Sequence, residues 1–463
     1  MQLVAMGAQD VYLTGNPQIT FFKVVYRRHT NFSKECISQT FSGSINASSE
    51  SSVTCTLSRN GDLVQEIYLV TNHTVTADAG AGTASADIGA EAPIITAAAH
   101  GLVSGDKIIV TQKGGLLLTD EAGTAVTVND GDVYVVRDVV KSTNAFKLQK
   151  LDGTLLVTAA STLVTNAGTN FTFKTDNKDT LDEDMTNLIK EVEVEIGGQK
   201  IDKHYSQWLD IYNELFETSH DYRMMMSTGS QVDAATNKFT CYLPLRFWFN
   251  RNPGLALPLI ALQYHEVKIN VTLNPDGPGT DATLNDAKLL VNYLYLDTDE
   301  RRRFAQVSHE YLIEQVQHTG VETEPAIDMN FNHPVKALFW TQPGATLGVA
   351  KLQLNGHDRA EEQAHDYYHL VQPYESGLGH CGKSLNTSTR KWGDVVKTGV
   401  NNNVGMYSFC LKPAEHQPSG TCNFSRIDNA RLNLAGASNL YLFALNYNVL
   451  RIMSGMGGLA YSN

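Results

Sequence analysis

The stretch EVEIGGQK at residues 193–200 decides the fold, because apolar and charged side chains alternate along it until it meets two glycines. Alternation with a period of two is typical of a β-strand with one buried face, and paired glycines favour a tight turn. A second stretch on the same plan, KLQLNGHD, occupies residues 351–358. The two stretches therefore predict equivalent β-hairpins, one in each half of the chain.

The segments downstream of these hairpins also correspond. Each half continues with a strand, a loop rich in proline and glycine, and a second strand. Each half then closes on an aromatic strand, NYLY at residues 292–295 and LYLF at residues 440–443. The recurring order predicts two copies of one all-β domain in tandem. The boundary is predicted at residues 297–308, the most charged segment of the chain.

The remaining pattern is also dominated by short strands. Further strand candidates are residues 53–58, 63–70, 264–273, 289–296, 311–317, 407–411 and 440–446. The sequence NGD at residues 60–62 predicts a hairpin turn between the first two of these. The best helix candidate is residues 205–216, where four apolar residues recur at helical spacing, namely Trp208, Ile211, Tyr212 and Leu215. Many short strands joined by turn-rich loops indicate a sandwich, barrel or jelly roll.

Residues 74–180 differ in composition from the rest of the chain, since they are rich in Ala, Thr, Gly and Asp and hold few large aromatic residues. Residues 77–92 are small and polar and predict a linker. Strand-like stretches follow at residues 106–110, 132–140, 145–151 and 155–157. This pattern predicts a small β-domain inserted in a loop of the first tandem domain, because such insertions are tolerated at exposed loop tips.

Charge and cysteine content exclude several classes of function. The net charge of −13, without a clustered excess of Lys and Arg, argues against direct contact with nucleic acid. The six cysteines match no zinc-site spacing and predict free buried thiols in a reducing compartment. The first residues have no basic region followed by an apolar core, so no secretory signal is predicted, and no apolar run is long enough to predict a membrane span.

Two His-Glu pairs, at His265 and His309, begin like a zinc-protease motif. That motif needs a second histidine one helical turn later, and Ile269 and Ile313 occupy those positions. The glycine-rich stretch at residues 455–458 lacks the following helix that a phosphate-binding loop requires. The sequence therefore predicts a protein that is not an enzyme and that holds no metal or cofactor.

Several long segments carry a family resemblance. They are GAQDVYLTGNPQITFFK at residues 7–23, YRRHTNF at 26–32, SRNGDL at 58–63, IGGQKIDKHY at 196–205, PGLALPLIALQYHEV at 253–267, PSGTCNFSRI at 418–427 and NYNVLRIMSG at 446–455. In these segments the chain resembles the double jelly-roll major capsid protein of nucleocytoplasmic large DNA viruses, most closely the chlorovirus-like type of algal viruses.

The resemblance implies an all-β fold of two tandem eight-stranded jelly rolls. The domains expected from it are an N-terminal arm at residues 1–33, a first jelly roll at 34–73 and 181–300, and a second at 308–463. The insertion at 74–180 should fall between the fourth and fifth strands of the first roll and lie on the outer surface of the virion. The implied function is a major capsid protein whose homotrimers form pseudo-hexagonal capsomers of an icosahedral shell. The implied partners are neighbouring capsomers and minor capsid proteins, and assembly is expected in the host cytoplasm.

The candidate assembly contacts are apolar residues of the arm and the two basic clusters, namely Phe21, Phe22, Tyr26, Arg27, Arg28, Arg301, Arg302 and Arg303. An equally good interpretation is that the arm packs under its own roll and that the basic clusters are solvated. A second hypothesis is a carbohydrate-binding or adhesion role, with contacts to glycans or a host surface through the insertion. A third, a cupin-type metalloenzyme, would need histidines clustered on neighbouring strands.

Overall fold

The computed structural model describes residues 16, 29–75, 79–85, 94–96, 107–112, 118–120, 125–140, 145–151, 154, 156–158, 171–175, 185–217, 238–275, 282–342, 347–378 and 404–461. In chain order its strands are β1 (Phe32–Thr40), β2 (Ser51–Thr56), β3 (Leu63–Val75), β4 (Ala79–Ser85), β5 (Ile94–Thr96), β6 (Lys107–Gln112), β7 (Leu118–Asp120), β8 (Ala125–Val126), β9 (Val133–Val140), β10 (Ala145–Gln149), β11 (Leu156–Thr158), β12 (Phe171–Thr175), β13 (Ile189–Ile196), β14 (Gln199–Tyr205), β15 (Lys238–Pro244), β16 (Leu257–Pro258), β17 (Val267–Leu273), β18 (Ala282–Leu296), β19 (His309–Glu322), β20 (Ala326–Asp328), β21 (Pro334–Thr341), β22 (Ala350–Leu354), β23 (His357–Gln363), β24 (Val404–Ser408), β25 (Cys422–Asn423), β26 (Ala430–Leu434), β27 (Leu440–Met453) and β28 (Met456–Leu459).

Helices are short and lie between strands. The α-helices are α1 (Ser206–Leu215), α2 (Trp248–Arg251), α3 (Thr298–Gln306) and α4 (Gln372–Glu375). A π-helical turn, Tyr367–Val371, leads directly into α4, and 3₁₀ turns occupy Met185–Leu188, Pro253–Leu255 and Phe424–Arg426.

The first half of the chain forms two antiparallel sheets that face each other. One has the strand order β1-β18-β3-β15, with the short β16 pairing at β3, and the other has the order β14-β13-β17-β2. Alternate side chains from both sheets meet in one apolar core, to which Leu69, Val194, Val271 and Leu289 belong. Strands that alternate between two sheets in this order make a jelly roll.

The second half repeats this topology strand for strand. Its sheets have the orders β19-β27-β21-β24 and β20-β26-β22-β23, with β25 and β28 as short additions to the first. Its core lies between the sheets and includes Leu338, Trp340, Leu352 and Leu432. The predicted tandem of two all-β domains is therefore confirmed as a double jelly roll.

The two hairpins that predicted the repeat occupy equivalent places, β13–β14 in the first roll and β22–β23 in the second. In each, the last and first strand residues pair across a two-residue turn, Ile196 with Gln199 and Leu354 with His357. The turn residues Gly197 and Gly198 have φ of 58° and 86°, and their counterparts Asn355 and Gly356 have φ of 52° and 75°. Two successive positive φ values define a type I′ turn, which suits the twist of paired strands and favours Gly and Asn.

The hairpin predicted at residues 60–62 is wrong. The strand before it, β2, pairs with β17, whereas β3 after it pairs with β18 and β15 in the opposite sheet. The chain crosses between sheets here, and a Cβ on Gly61 would meet the Tyr293 ring, so close packing explains this glycine. Asp62 is buried and its carboxylate accepts the Leu296 backbone N–H at 2.9 Å, which makes it a connection to β18.

Strands β4 to β12 pair with one another. Six of them form a closed barrel in the order β10-β5-β4-β12-β6-β9, and β11-β7-β8 form a small sheet. Residues 79–85, predicted as linker, are strand β4, because alanine and glycine allow the backbone to pair with β5 and β12. These strands follow β3, the third strand of the first roll, and precede β13, the fourth. The predicted position between the fourth and fifth strands is therefore wrong by one strand, and the independence of this insertion stays a prediction.

The helix predicted at residues 205–216 is confirmed as α1, and all four residues that predicted it are buried. Helix α3 occupies the predicted boundary between the halves. It begins after Asp297, whose side chain accepts the Thr298 N–H, and it connects the last strand of the first roll to β19. The predicted strand at residues 407–411 is instead Val404–Ser408, so its last three residues lie beyond β24.

Candidate functional site: the interface between the two jelly rolls

Helix α1 of the first roll packs on the outer face of a sheet of the second. Its Trp208 side chain is 1% exposed and contacts Phe339 of β21 and Phe443 of β27, with ring centroids 5.5 Å and 5.8 Å away. Met406, from β24, joins the same apolar cluster. The apolar residues whose helical spacing predicted α1 thus form the face of the helix that packs against the second roll.

Polar contacts continue this interface along strand β14. The Gln315 side chain, on β19, donates to the Ile201 carbonyl, and the Val316 N–H donates to the Asp202 carboxylate at 3.0 Å. Tyr205 at the end of β14 lies 5.0 Å from the His318 ring. The edge strand β14 of the first roll is therefore hydrogen-bonded to β19, the first strand of the second roll.

A buried charge cluster crosses the same interface. Glu314, on β19, is 5% exposed and bonds to Arg251 of α2 at 2.7 Å and to Lys336 of β21 at 2.7 Å. The Lys336 ammonium also donates to the Glu415 carbonyl at 2.9 Å and lies 5.0 Å from the centre of the Tyr447 ring. One carboxylate thus joins a cation of each roll.

The protonation states of this cluster follow from its charges. Burial alone would raise the pKa of the Glu314 carboxyl, but Arg251, His416 and Lys336 favour its ionised form and lower the pKa to about 2. Burial lowers the pKa of the Lys336 ammonium, and Glu314 opposes that shift. These residues were not predicted from the sequence. The available signal was Lys336 itself, a lysine inside the otherwise apolar strand PVKALFW at residues 334–340.

The C-terminal strand β28 returns to the first roll and completes the interface. The Tyr264 N–H donates to the Gly455 carbonyl at 3.0 Å, and His265 Nδ1 lies 3.0 Å from the Gly457 carbonyl. The Leu459 N–H donates to the Gln199 side chain at 3.3 Å. Ile452 of β27 is a member of the first roll's core cluster, so the end of β27 packs against the first roll.

The predicted assembly residues fall in different situations. Arg301 lies on α3 and its Nε donates to the buried Asp62 carboxylate at 2.9 Å, which ties the connecting helix to the first roll. Arg302 and Arg303 are exposed on the same helix. Phe21, Phe22, Tyr26, Arg27 and Arg28 lie outside the described residues, so the role of the arm stays a prediction.

The residues considered for metal chemistry have structural roles where the structure describes them. His265 serves the β28 contact, and His309 Nε2 lies 2.9 Å from the Phe304 carbonyl at the end of α3. Within the described ranges, no cluster of three or more His, Cys, Asp or Glu side chains could hold a metal ion. None of the helices in the described part of the chain has the length and apolar character needed to cross a membrane.

The cysteines differ in exposure. Burial raises the pKa of the Cys55 thiol to about 11 and that of Cys241 to about 12, so these two are inert in the core. Cys36 on β1 is exposed, contrary to the expectation of buried thiols, because the face of β1 on which it lies is uncovered. Cys410 and Cys422 are half-buried.

Comparisons with known proteins agree with this architecture. A family model described as the major capsid protein N-terminus matches residues 20–110 and 151–297. A second, described as the large eukaryotic DNA virus major capsid protein, matches residues 300–349 and 389–458. The two matches meet at the start of α3, and the first leaves out residues 111–150, which lie within the predicted insertion at 74–180.

Relatives match over the whole chain. The chain is 45% identical over 491 residues to the major capsid protein of Pyramimonas orientalis virus, covering 100% of this chain and 99% of that protein. It is 35% identical over 553 residues to the major capsid protein of Paramecium bursaria Chlorella virus 1, with the same coverage.

Solved structures show the same fold. The PBCV-1 VP54 crystal structure, fitted into a reconstruction of the Sputnik virophage, superimposes with a TM-score of 0.61 at 31% identity, covering 96% of this chain and 100% of that one. The Faustovirus major capsid protein, at 13% identity and a TM-score of 0.57 over 97% of this chain and 94% of that one, supports the fold alone.

Two jelly rolls of one topology, joined through a buried interface in a single polypeptide, define a double jelly-roll capsid subunit. The chain belongs to the major capsid proteins of large eukaryotic DNA viruses. It is a structural component of the virion capsid. The carbohydrate-binding alternative receives no support from these comparisons.

Proposed function

We propose that three copies of this chain form a homotrimeric, pseudo-hexagonal capsomer, and that such capsomers tile an icosahedral shell. The observation that carries the proposal is the repeat of one strand order in two rolls of a single chain. Three copies then supply six similar building blocks, which suit positions surrounded by six neighbours. Among the solved structures, a quasi-atomic model of the PBCV-1 virus capsid contains a chain similar to this one.

The proposed role is mechanical, without a catalytic activity. Its partners are further copies of the chain within the capsomer, neighbouring capsomers and minor capsid proteins. The net charge of −13 disfavours direct contact with the genome. Assembly in the host cytoplasm is part of the proposal, since an inert buried thiol such as Cys55 suits a reducing compartment.

Electron microscopy and light scattering of the purified protein test this proposal together. The expected mass is three times the 50.8 kDa of one chain, and the expected particle outline is hexagonal. A trimer of this kind should bury interfaces of the obligate class, larger than about 2,000 Å², and should persist on dilution. A protein that stays monomeric at high concentration contradicts the proposal.

A further inference from the structure

Three large apolar side chains stand exposed where the C-terminal hairpin meets the first roll. Met453 and Met456 pair across the turn between β27 and β28, and they are 49% and 52% exposed. Tyr264 of the first roll is 76% exposed, and its ring lies so close to Gly455 that a Cβ there would be 2.6 Å from it. Tyr264, Met453 and Met456 are called the turn patch below.

The turn patch is part of a fixed surface. On the other face of the hairpin, Ile452 belongs to the first roll's core cluster. A Cβ on Gly457 would lie 2.6 Å from the Leu262 side chain, so β28 also packs tightly on the first roll. A rigid group of exposed methionine and tyrosine side chains is typical of a surface that binds a partner, because methionine adapts to irregular apolar shapes.

The turn patch lies at the end of the first roll from which the N-terminal arm departs. Strand β3 ends at Val75, where strands β4 to β12 follow. Strand β1 begins at Phe32, which pairs with the last residue of β18, and β18 runs antiparallel to β3, so Phe32 is at the opposite end. The loop that carries Tyr264 is bound at this same end, since the Ile260 N–H donates to the Asp62 carbonyl at 3.1 Å, just before β3.

The arm has the chemistry to cover such a patch. Its run ITFFKVVY, residues 19–26, holds six apolar residues and a single charge, at Lys23. Burying large apolar side chains is favourable, so a run of this composition gains from packing on an apolar surface. Phe22 precedes Phe32 by ten residues, which allows a reach of at most about 35 Å.

We propose that the arm of one copy packs on the turn patch of an adjacent copy, with Phe21 and Phe22 against Tyr264 and the two methionines. A second copy is the partner because the turn patch is exposed in the single chain. The inference rests on the proposed homotrimer and adds a contact to it. Each copy gives one arm and receives one, so the exchange closes around a three-fold axis and leaves no patch uncovered.

Cross-linking between copies tests the exchange directly. The variant Phe22→Cys/Met456→Cys, in a Cys36→Ser background that removes the exposed native thiol of β1, is treated with a short bismaleimide. The expected products on a denaturing gel are covalent dimers and trimers, and mass spectrometry identifies the linked peptides. The matched control is Phe22→Cys/Arg302→Cys, with the second thiol exposed on α3, and it should give several-fold less product.

Proteolysis of the arm gives a second readout. Trypsin cuts after Lys23 only when the arm is released, so the rate of cleavage reports the released fraction. Met456→Asp changes an exposed side chain, should keep the melting temperature of the rolls, and should raise this rate by about tenfold, as loss of an apolar anchor does. Leu151→Asp is the control, because Leu151 is also exposed, at 66%, but lies in the predicted insertion.

The outcomes separate this inference from the proposed function. If light scattering shows that the unmodified protein is not a trimer, the proposed function fails. If it is a trimer but the cross-linked product keeps the mass of one chain, the arm covers its own patch and the exchange is wrong. A trimer that gives no more product than the Arg302 control, with an unchanged trypsin rate in Met456→Asp, would show that the arm does not occupy the turn patch.

Discussion

Arg251 of the first jelly roll and Glu314 of the second form an ion pair of 2.7 Å in which the Glu314 side chain is only 5% exposed. Lys336 shares the same carboxylate from the second roll. A buried carboxylate with two cations is stable as a complete set, and removing its single anion leaves like charges facing each other out of water. The packing of one roll against the other therefore depends on Glu314.

We expect Glu314→Gln to lower the free energy of unfolding by about 3–5 kcal/mol, because Arg251 and Lys336 stay buried and lose the carboxylate that they share. Urea unfolding followed by fluorescence measures the loss. The control is Glu310→Gln on the same strand, whose 2.8 Å pair with Arg451 is exposed and should contribute at most about 1 kcal/mol. Equal losses for the two variants would contradict this account.

The same carboxylate predicts a pH dependence. The pKa of Glu314 in the folded protein is about 2, well below the ordinary value of 4.5 that it has when unfolded. The unfolded chain therefore binds this proton first, and the stabilisation is complete above pH 4.5 and is lost as the pH falls towards 2. The difference in unfolding free energy between the unmodified protein and Glu314→Gln should narrow over that window. A difference that stays constant from neutral pH down to the folded-state pKa would exclude the mechanism.

Trp208 should couple the rolls energetically. Its replacement by alanine is expected to lower the free energy of unfolding by about 3–5 kcal/mol, because the cavity opens between α1 and the second roll. In a double-mutant cycle, Trp208→Ala with Phe443→Ala should show a coupling energy of about 1 kcal/mol. The cycle of Trp208 with Trp340, a residue of the second roll's own core cluster, is the control and should be additive.

The twin glycines of the first hairpin should differ in tolerance. A Cβ on residue 198 would meet nothing within 4 Å. Gly198→Ala should therefore lower the free energy of unfolding only through the unfavourable backbone conformation at φ of 86°, by about 1–2 kcal/mol. Gly197→Ala carries a similar backbone strain and also drives a methyl group into the His265 ring, which contacts β28. Thermal unfolding should show Gly197→Ala to be the less stable by a further ~1–3 kcal/mol. The reverse order would be inconsistent with this packing.

Removal of residues 78–178 should leave a folded trimer. The reason is that strands β4 to β12 pair among themselves and, in the described residues, not with a jelly-roll strand. Circular dichroism and light scattering of the deletion variant measure fold and mass. An insoluble or monomeric product would show that the insertion is needed for the roll or its assembly.

Much of the fold follows from local patterns. Alternation along residues 192–196, with its counterpart at 351–354, predicted strands correctly because one face of each strand is buried in its own roll. The positive-φ turns at Gly197 and Asn355 have a local chemical signature, so the repeat could be predicted from the sequence alone. Residues 60–62 have a similar signature but no hairpin. A turn motif specifies a change of direction, whereas the partner strand is chosen by contacts with distant residues such as Tyr293.

The sequence by itself determined many of the strands, the tandem repeat and the apolar face of α1, since each is encoded by periodicity within a few residues. Only the tertiary structure decided that α1 covers the second roll's sheet and that Glu314 joins Arg251 to Lys336. The physical reason is that periodicity reports whether a side chain is buried but not against which surface, and that choice depends on how the two rolls pack.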